Sequence, residues 1–213
     1  MLLDQLAMRN GTDKSSIMHN YTKIYSRYFD EIRYNIKKMM EIGTYQGASI
    51  RMWKEYFPNS MIYGIDNLKL CELEDSRIKI FVGMQEDVNF LYNIIKEIGG
   101  DFDIILDDGG HMVNQQIASF DYLFDYVKKG GVYIIEDITS SYWKQFGGGL
   151  KKPKTSIEFL KDRIDDIYFS GYTDIHQCLD PDKILNIKSD INKYERQIES
   201  IHFYSGLAFI FKR

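Results

Sequence analysis

Apolar runs of strand length alternate along this chain with longer stretches in which apolar positions recur every three or four residues. The strand-like runs are KMMEIG (38–43), MIYGID (61–66), RIKIFVG (77–83), DFDIILDD (101–108) and GGVYIIED (130–137). Between them ASIRMWKEYF, DVNFLYNIIKEIG and NQQIASFDYLFDYVKKGG carry helical periodicity, and the last two run into glycine, where helices often stop. Toward the C-terminal end, ESIHFYSGLAFIFKR reads as two strands meeting at Ser205-Gly206. This alternation predicts an α/β fold: a doubly wound, mostly parallel seven-stranded sheet with helices on both faces and a C-terminal antiparallel hairpin.

Two regions fall outside the alternation. In GTDKSSIMHNYTKIYSRYF, Tyr21, Tyr25 and Tyr28 recur at helical spacing, the pattern of a helix that lays an aromatic stripe on the core. Residues 1–35 are accordingly expected to form a helical lid or cap. Residues 140–193 contain FGGGLKKPKTS and mixed-charge helical pieces, and are expected to form a loop and helical insertion near the active site, its three glycines making a flexible cover. No repeat or linker divides the chain, so residues 1–213 read as a single domain.

Composition narrows the partners. At 213 residues and 44% hydrophobic content the chain can bury a core without disulfides or structural metals. Its 27 basic and 31 acidic residues leave a net charge of −4, which offers no electrostatic basis for binding nucleic acid or an anionic membrane, and points to a small-molecule partner. Cys71 and Cys178 lack CxxC or ligand spacing, as suits a reduced, cytoplasmic setting. No cationic start leads into an apolar run, and no window approaches the roughly 18 apolar residues of a membrane span. A homo-oligomer is expected on frequency alone.

The strand ends carry the chemistry. In open α/β sheets, ligands bind beyond the carboxyl ends of the strands, and here those ends are acids and glycines. EIGTYQGAS makes a glycine turn into a helix, with Gly43 and Gly47 allowing close backbone approach, but it lacks the GxGxxG spacing of a dinucleotide site. Asp66 closes the next strand about 20 residues on, where an acid commonly accepts hydrogen bonds from ribose hydroxyls. Gln85 and Asp87 follow the third strand, placed to meet a base edge or to form a solvated turn.

Glycine turn, acid and polar turn together look like the class I, Rossmann-like S-adenosylmethionine-dependent methyltransferases. More narrowly, GTDK with HNYTKIY, EIGTYQGAS, DDGGH, IIEDITSSYW and IHFY resemble the magnesium-dependent sugar O-methyltransferases of the mycinamicin-biosynthesis type. The resemblance implies S-adenosylmethionine as cofactor, with Glu41, Gly43, Gly47, Asp66 and Gln85 around it, and the GTDK segment with Tyr21 or Tyr25 closing over its methionine end. Asp107, on the opposite strand face from Asp108, is expected either to contact the cofactor or to satisfy backbone donors. Asp108 would lie beside Glu136 and Asp137 on neighbouring strands about 4.8 Å apart, where carboxylates repel unless a cation holds them; an all-oxygen set suits Mg²⁺. By the family pattern Asp108, Glu136 and Asp137 take the metal positions and His111 the general base, with Gly109 and Gly110 turning the backbone so that His111 swings back over the rim.

The acceptor implied is a hydroxyl of a sugar or sugar-containing natural product. Two features depart from the family: it usually has serine where Gly110 stands, and a chain of this length lacks room for the large N-terminal domain of the macrolide-sugar members. Taken alone, Asp108 also reads as the cap of a helix beginning near Val113, and His111 as a surface residue of the turn. The rival functions are a metal-dependent hydrolase or lyase on the same carboxylates, and a non-catalytic small-molecule binding module.

Overall fold

The computed structural model describes residues 1–68, 72–73, 75–172, 183 and 191–213. Cys71, Cys178, His176 and the stretches 173–182 and 184–190 of the expected 140–193 insertion lie outside the described residues. The chain begins with helices α1 (Leu2–Asn10) and α2 (Thr22–Phe29). It continues through β1 (Lys38–Ile42), α3 (Ala48–Tyr56), β2 (Met61–Asp66), β3 (Ile78–Val82), α4 (Val88–Ile98), β4 (Phe102–Asp107), α5 (Val113–Leu123) and β5 (Val127–Glu136). After short 3₁₀ turns come α6 (Ser156–Ile167), α7 (Lys193–Gln197), β6 (Ile198–Tyr204) and β7 (Leu207–Lys212).

The strands form one seven-stranded sheet in the order β3-β2-β1-β4-β5-β7-β6. The first five are parallel, while β7 runs antiparallel between β5 and β6, so the doubly wound sheet with its C-terminal hairpin is as the hydrophobic pattern predicts. The strand order reverses between β1 and β4, which opens a crevice at their carboxyl ends.

Alternate residues of each strand feed two cores. Ile104, Leu106, Ile134 and Phe209 pack with Leu3, Tyr25, Phe29 and Trp53 on the α1–α2–α3 face. Ile105, Tyr133, Ile135 and Ile210 pack with Leu91, Ile94, Phe120 and Leu160 on the α4–α5–α6 face. The tyrosine stripe therefore does enter the core: the ring of Tyr25 sits against Phe29, Trp53 and Phe209.

One boundary differs from the periodicity. The segment ending in KKGG was expected to stay helical to Gly130, yet α5 stops at Leu123 and Val127 already pairs with Phe102 in the sheet. The pairing then shifts by a bulge before Ile104↔Val132. Gly130 takes φ +74°, and a Cβ at Gly131 would lie 2.9 Å from the Phe102 carbonyl oxygen, so a bulge built on glycines replaces the helix end. No described helix is long and apolar enough to cross a membrane.

Candidate active site

A cavity of about 510 Å³ opens at the switch point between β1 and β4. Its walls include Gly43, Asp66, Gln85, Asp108, His111 and Asp137 from the expected set, together with Thr12, Asp13 and Lys14 from the N-terminal segment. Glu41, Gly47, Asp107, Tyr21 and Glu136 stand behind the wall rather than on it.

At one end Asp66 ties two strand ends together. Its Oδ2 accepts the backbone N–H groups of Thr44 at 2.9 Å and Tyr45 at 2.7 Å, and its Oδ1 accepts that of Leu68 at 3.1 Å. The glycine turn is thus held open by a carboxylate from the adjacent strand. Gly43 is required there: at φ +88°, an added Cβ would come within 1.9 Å of the Asp108 carbonyl oxygen. Gly47, at φ +78°, begins α3 and leaves space for Leu73. Asp87 caps α4 by accepting from Asn89 N and Phe90 N.

Gln85 and Asp107 form a buried bracket. The Gln85 amide donates to Asp107 Oδ1 at 3.0 Å and accepts from Gly110 N at 2.9 Å. Asp107 also accepts from Ser119 at 2.6 Å and Tyr133 at 3.2 Å, with Gly109 N at 3.3 Å. Burial raises its carboxyl pKa, and these donors work against that rise. Three of these four donors are side chains, and Gly109 N is the backbone donor among them.

The turn after β4 works differently from its expected form. The left-handed conformation belongs to His111 itself, at φ +57°, and neither Gly109 nor Gly110 has positive φ. These glycines are needed for space: a Cβ on Gly109 would meet Gln85 Oε1 at 2.0 Å, and one on Gly110 would meet Gln115 Oε1 at 2.2 Å. His111 is one of seven described non-glycine residues with positive φ, and Asp137, at φ +49°, is another. The turn brings His111 Nε2 to 3.8 Å from Asp137 Oδ2 and 4.0 Å from Asp108 Oδ1. Its Nδ1 is buried without a hydrogen-bond partner among the described residues. Phe146 stands edge-on to the imidazole, with ring centroids 6.3 Å apart. The FGGGL run behind it is a tight reversal, in which Gly148 N donates to Trp143 O at 2.9 Å and Gly149 N to Ser141 O at 2.9 Å.

Asp108, His111 and Asp137 each offer a ligand atom within 4.8 Å of the others. Glu136, expected to join the two aspartates, has its oxygens occupied elsewhere: Tyr25 donates to Oε1 and Lys14 Nζ lies 3.0 Å from Oε2. Strand alternation explains this, because Glu136 shares the face of Ile134 and meets α2, whereas Asp137 follows the strand and turns outward. Tyr21 Oη donates to Asp137 at 2.6 Å, and Gly206 gives the ring room, since a Cβ there would sit 2.1 Å from that hydroxyl. The tyrosine stripe is therefore core at its rings and polar at its tips.

Lys14, the last residue of GTDK, has a role that the sequence did not assign to it individually. Its side chain is 1% exposed, and Nζ bonds Asp108 while lying 3.0 Å from Glu136 and 3.9 Å from Glu41. Burial opposes its charge, but the three carboxyls outweigh burial and hold its pKa well above the usual lysine value. Glu41 accepts from Ser49 at 2.9 Å and Trp53 at 3.2 Å, and burial pushes its pKa up to about 7. Burial and the neighbouring Asp108 also raise Glu136 well above the carboxylate range, against the pull of Lys14 and Tyr25.

No family model matches the chain. It is 34% identical over 99% of its length to mycinamicin VI 2''-O-methyltransferase of Micromonospora griseorubida, of which it covers 52%. Against 8-demethyl-8-(2-methoxy-alpha-L-rhamnosyl)-tetracenomycin-C 3'-O-methyltransferase of Streptomyces olivaceus the identity is 36% over 80% of the chain and 46% of that protein. The solved MycE methyltransferase from the mycinamycin biosynthetic pathway, in complex with Mg and SAH, superposes with a TM-score of 0.83 at 33% identity, over 99% of this chain and 53% of that one. Over nearly its whole length the chain is similar to these named sugar O-methyltransferases. It spans about half the length of these relatives, and the match confirms the Rossmann-like class I fold expected from its motifs.

Proposed function

We propose that this chain is the catalytic unit of an S-adenosylmethionine- and Mg²⁺-dependent O-methyltransferase acting on a hydroxyl of a sugar or sugar-containing small molecule. The observation that carries this reading is one continuous cavity with Asp66 and Gly43 on its wall together with the convergent Asp108, His111 and Asp137. Relatives a third identical across the chain carry sugar O-methyltransferase names, and one of them was solved with Mg and SAH.

Asp66 and the turn it holds suit the nucleoside, and two strand spacings separate them from Asp108, about 10 Å. Two hard carboxylates, each within 4.0 Å of His111 Nε2, fit a divalent cation, with Asp108 and Asp137 as its holders and Glu136 behind them. When bound, the cofactor supplies an electrophilic methyl and the cation lowers the pKa of an acceptor hydroxyl. His111 Nε2 is the base that takes the hydroxyl proton, and Asp108 and Asp137 stabilise the imidazolium that results. Phe146 limits movement of the ring and shields it from water. The N-terminal segment acts as the cap through Lys14, Tyr21 and Tyr25, and residues 1–213 work as a single domain in the cytoplasm.

Titration calorimetry with S-adenosylhomocysteine, with and without Mg²⁺, tests the reading. Saturable binding is expected in both conditions. A flat thermogram in both would remove the cofactor and leave the hydrolase or lyase alternative.

A further inference from the structure

Four carboxyls, from Glu41, Asp108, Glu136 and Asp137, crowd one corner of the fold, and Lys14 is the described ammonium that ion-pairs with three of them. Such a cluster repels itself in a low-dielectric interior unless positive charge is present. Lys14 sits in the loop between α1 and α2, far from the sheet in sequence, yet its side chain is nearly inaccessible to solvent. The loop is fixed on both sides of it: Thr22 N donates to the Lys14 carbonyl at 3.1 Å, and Lys14 N donates to Thr12 Oγ1 at 3.4 Å. The same segment sends Tyr21 to Asp137 and Tyr25 to Glu136, so its docking and the neutralisation of the acids are one event.

We infer that Lys14 is a tethered counter-ion of the acid rim: it keeps the rim folded when no divalent ion is present and, as a neighbouring positive charge on Asp108, weakens the binding of one. The second half rests on the proposed divalent site; the first does not. Removing the ammonium has two consequences that oppose one another in sign. Asp108 and the buried Glu136 become an uncompensated pair, which destabilises the ion-free protein. A dication reaching Asp108 no longer meets a like charge in contact with the same carboxylate, and an oxygen of Glu136 is released toward it, which strengthens binding.

The test compares the full-length chain with Lys14→Met and with the double variant Lys14→Met/Glu136→Gln. Thermal melts are taken in EDTA and in Mn²⁺, and Mn²⁺ affinity is measured by the loss of the free-ion EPR signal. Lys14→Met is expected to melt roughly 5 °C or more below wild type in EDTA and to regain most of that loss in Mn²⁺. Its Mn²⁺ affinity is expected to rise by roughly tenfold or more. The double variant, which also removes a negative charge, is expected to recover part of the EDTA loss, and it keeps the test decisive even where the single variant folds only with metal. Equal melting of Lys14→Met and wild type in EDTA, or no recovery in the double variant, would overturn the counter-ion. Unchanged Mn²⁺ affinity in Lys14→Met would overturn its effect on the ion. If neither wild type nor Lys14→Met binds Mn²⁺ while the charge-dependent melting stands, the divalent site of the proposed function fails and the counter-ion survives.

Discussion

The two ends of the cavity are assembled over different sequence distances. Asp66 reaches Thr44 and Tyr45, only 22 and 21 residues away, within a single strand-helix-strand unit. At the acid end Lys14 bonds Asp108 and Glu136 across 94 and 122 residues, Tyr25 bonds Glu136 across 111, and Tyr21 bonds Asp137 across 116. The first end needs one βαβ unit to form, whereas the second needs the sheet completed through β5, the hairpin turned at Gly206 and the N-terminal segment docked. The Asp66 end is therefore a local structure that other chemistry can be attached to, and the acid end reports on the integrity of the whole domain.

This division is sharpest where chemistry and binding are measured separately. Replacing Asp108 and Asp137 together with asparagine is expected to lower single-turnover methyl transfer by roughly 10³-fold or more, while S-adenosylhomocysteine affinity stays within about threefold. Parallel loss of both would mean that the two ends do not act independently. Gly43→Ala strikes the backbone contact between the ends, where no flexible side chain can yield. It is expected to destabilise the fold by roughly 3 kcal/mol or more in denaturant titration.

Glu41 sits behind both ends, and its effect is read in pH. Its folded pKa of about 7 lies above the ordinary 4.5, so between those values the native state holds a proton that the unfolded chain has released. Stability should therefore fall as pH rises from 4.5 to about 7, by about 3 kcal/mol, and level off above. Glu41→Gln is expected to flatten that slope in urea titrations across the window; an unchanged slope would assign it to other groups. The smallest effect is expected at Gly110→Ser, which introduces the residue that the resemblance leads one to expect there. Only the end of the Gln115 side chain stands in the way, so the cost should stay within about 1 kcal/mol. A loss equal to that of Gly43→Ala would show that the turn after β4 is tighter than its contacts indicate.

Much of the architecture was legible from period and punctuation. Four of the first five strands agree with their apolar runs to within a residue at each end, and β2 matches from Met61 to Asp66. β5 was misjudged at its start, because LFDYV continues a helical pattern and only pairing with Phe102 draws Val127 into the sheet. The acids and His111 were legible as candidates from their places at strand ends. Their sorting was not: Asp108 and Asp137 meet His111, Glu136 turns to Tyr25 and Lys14, and Asp107 goes to Ser119 and Tyr133. Lys14 was legible only as the end of GTDK, because a lysine in a polar loop reads as solvated, and only burial by residues distant in the chain gives it a role of its own.

The order of strands and helices, the glycine turn after β1 and the collection of acids on one rim follow from the sequence by itself, because hydrophobic period and backbone sterics act within a few residues. Which acid faces which partner, and that a lysine near the start of the chain supplies the charge between them, was decided only by the tertiary structure. Electrostatic pairing in a buried site depends on distances and solvent exclusion that exist once segments a hundred residues apart have packed together.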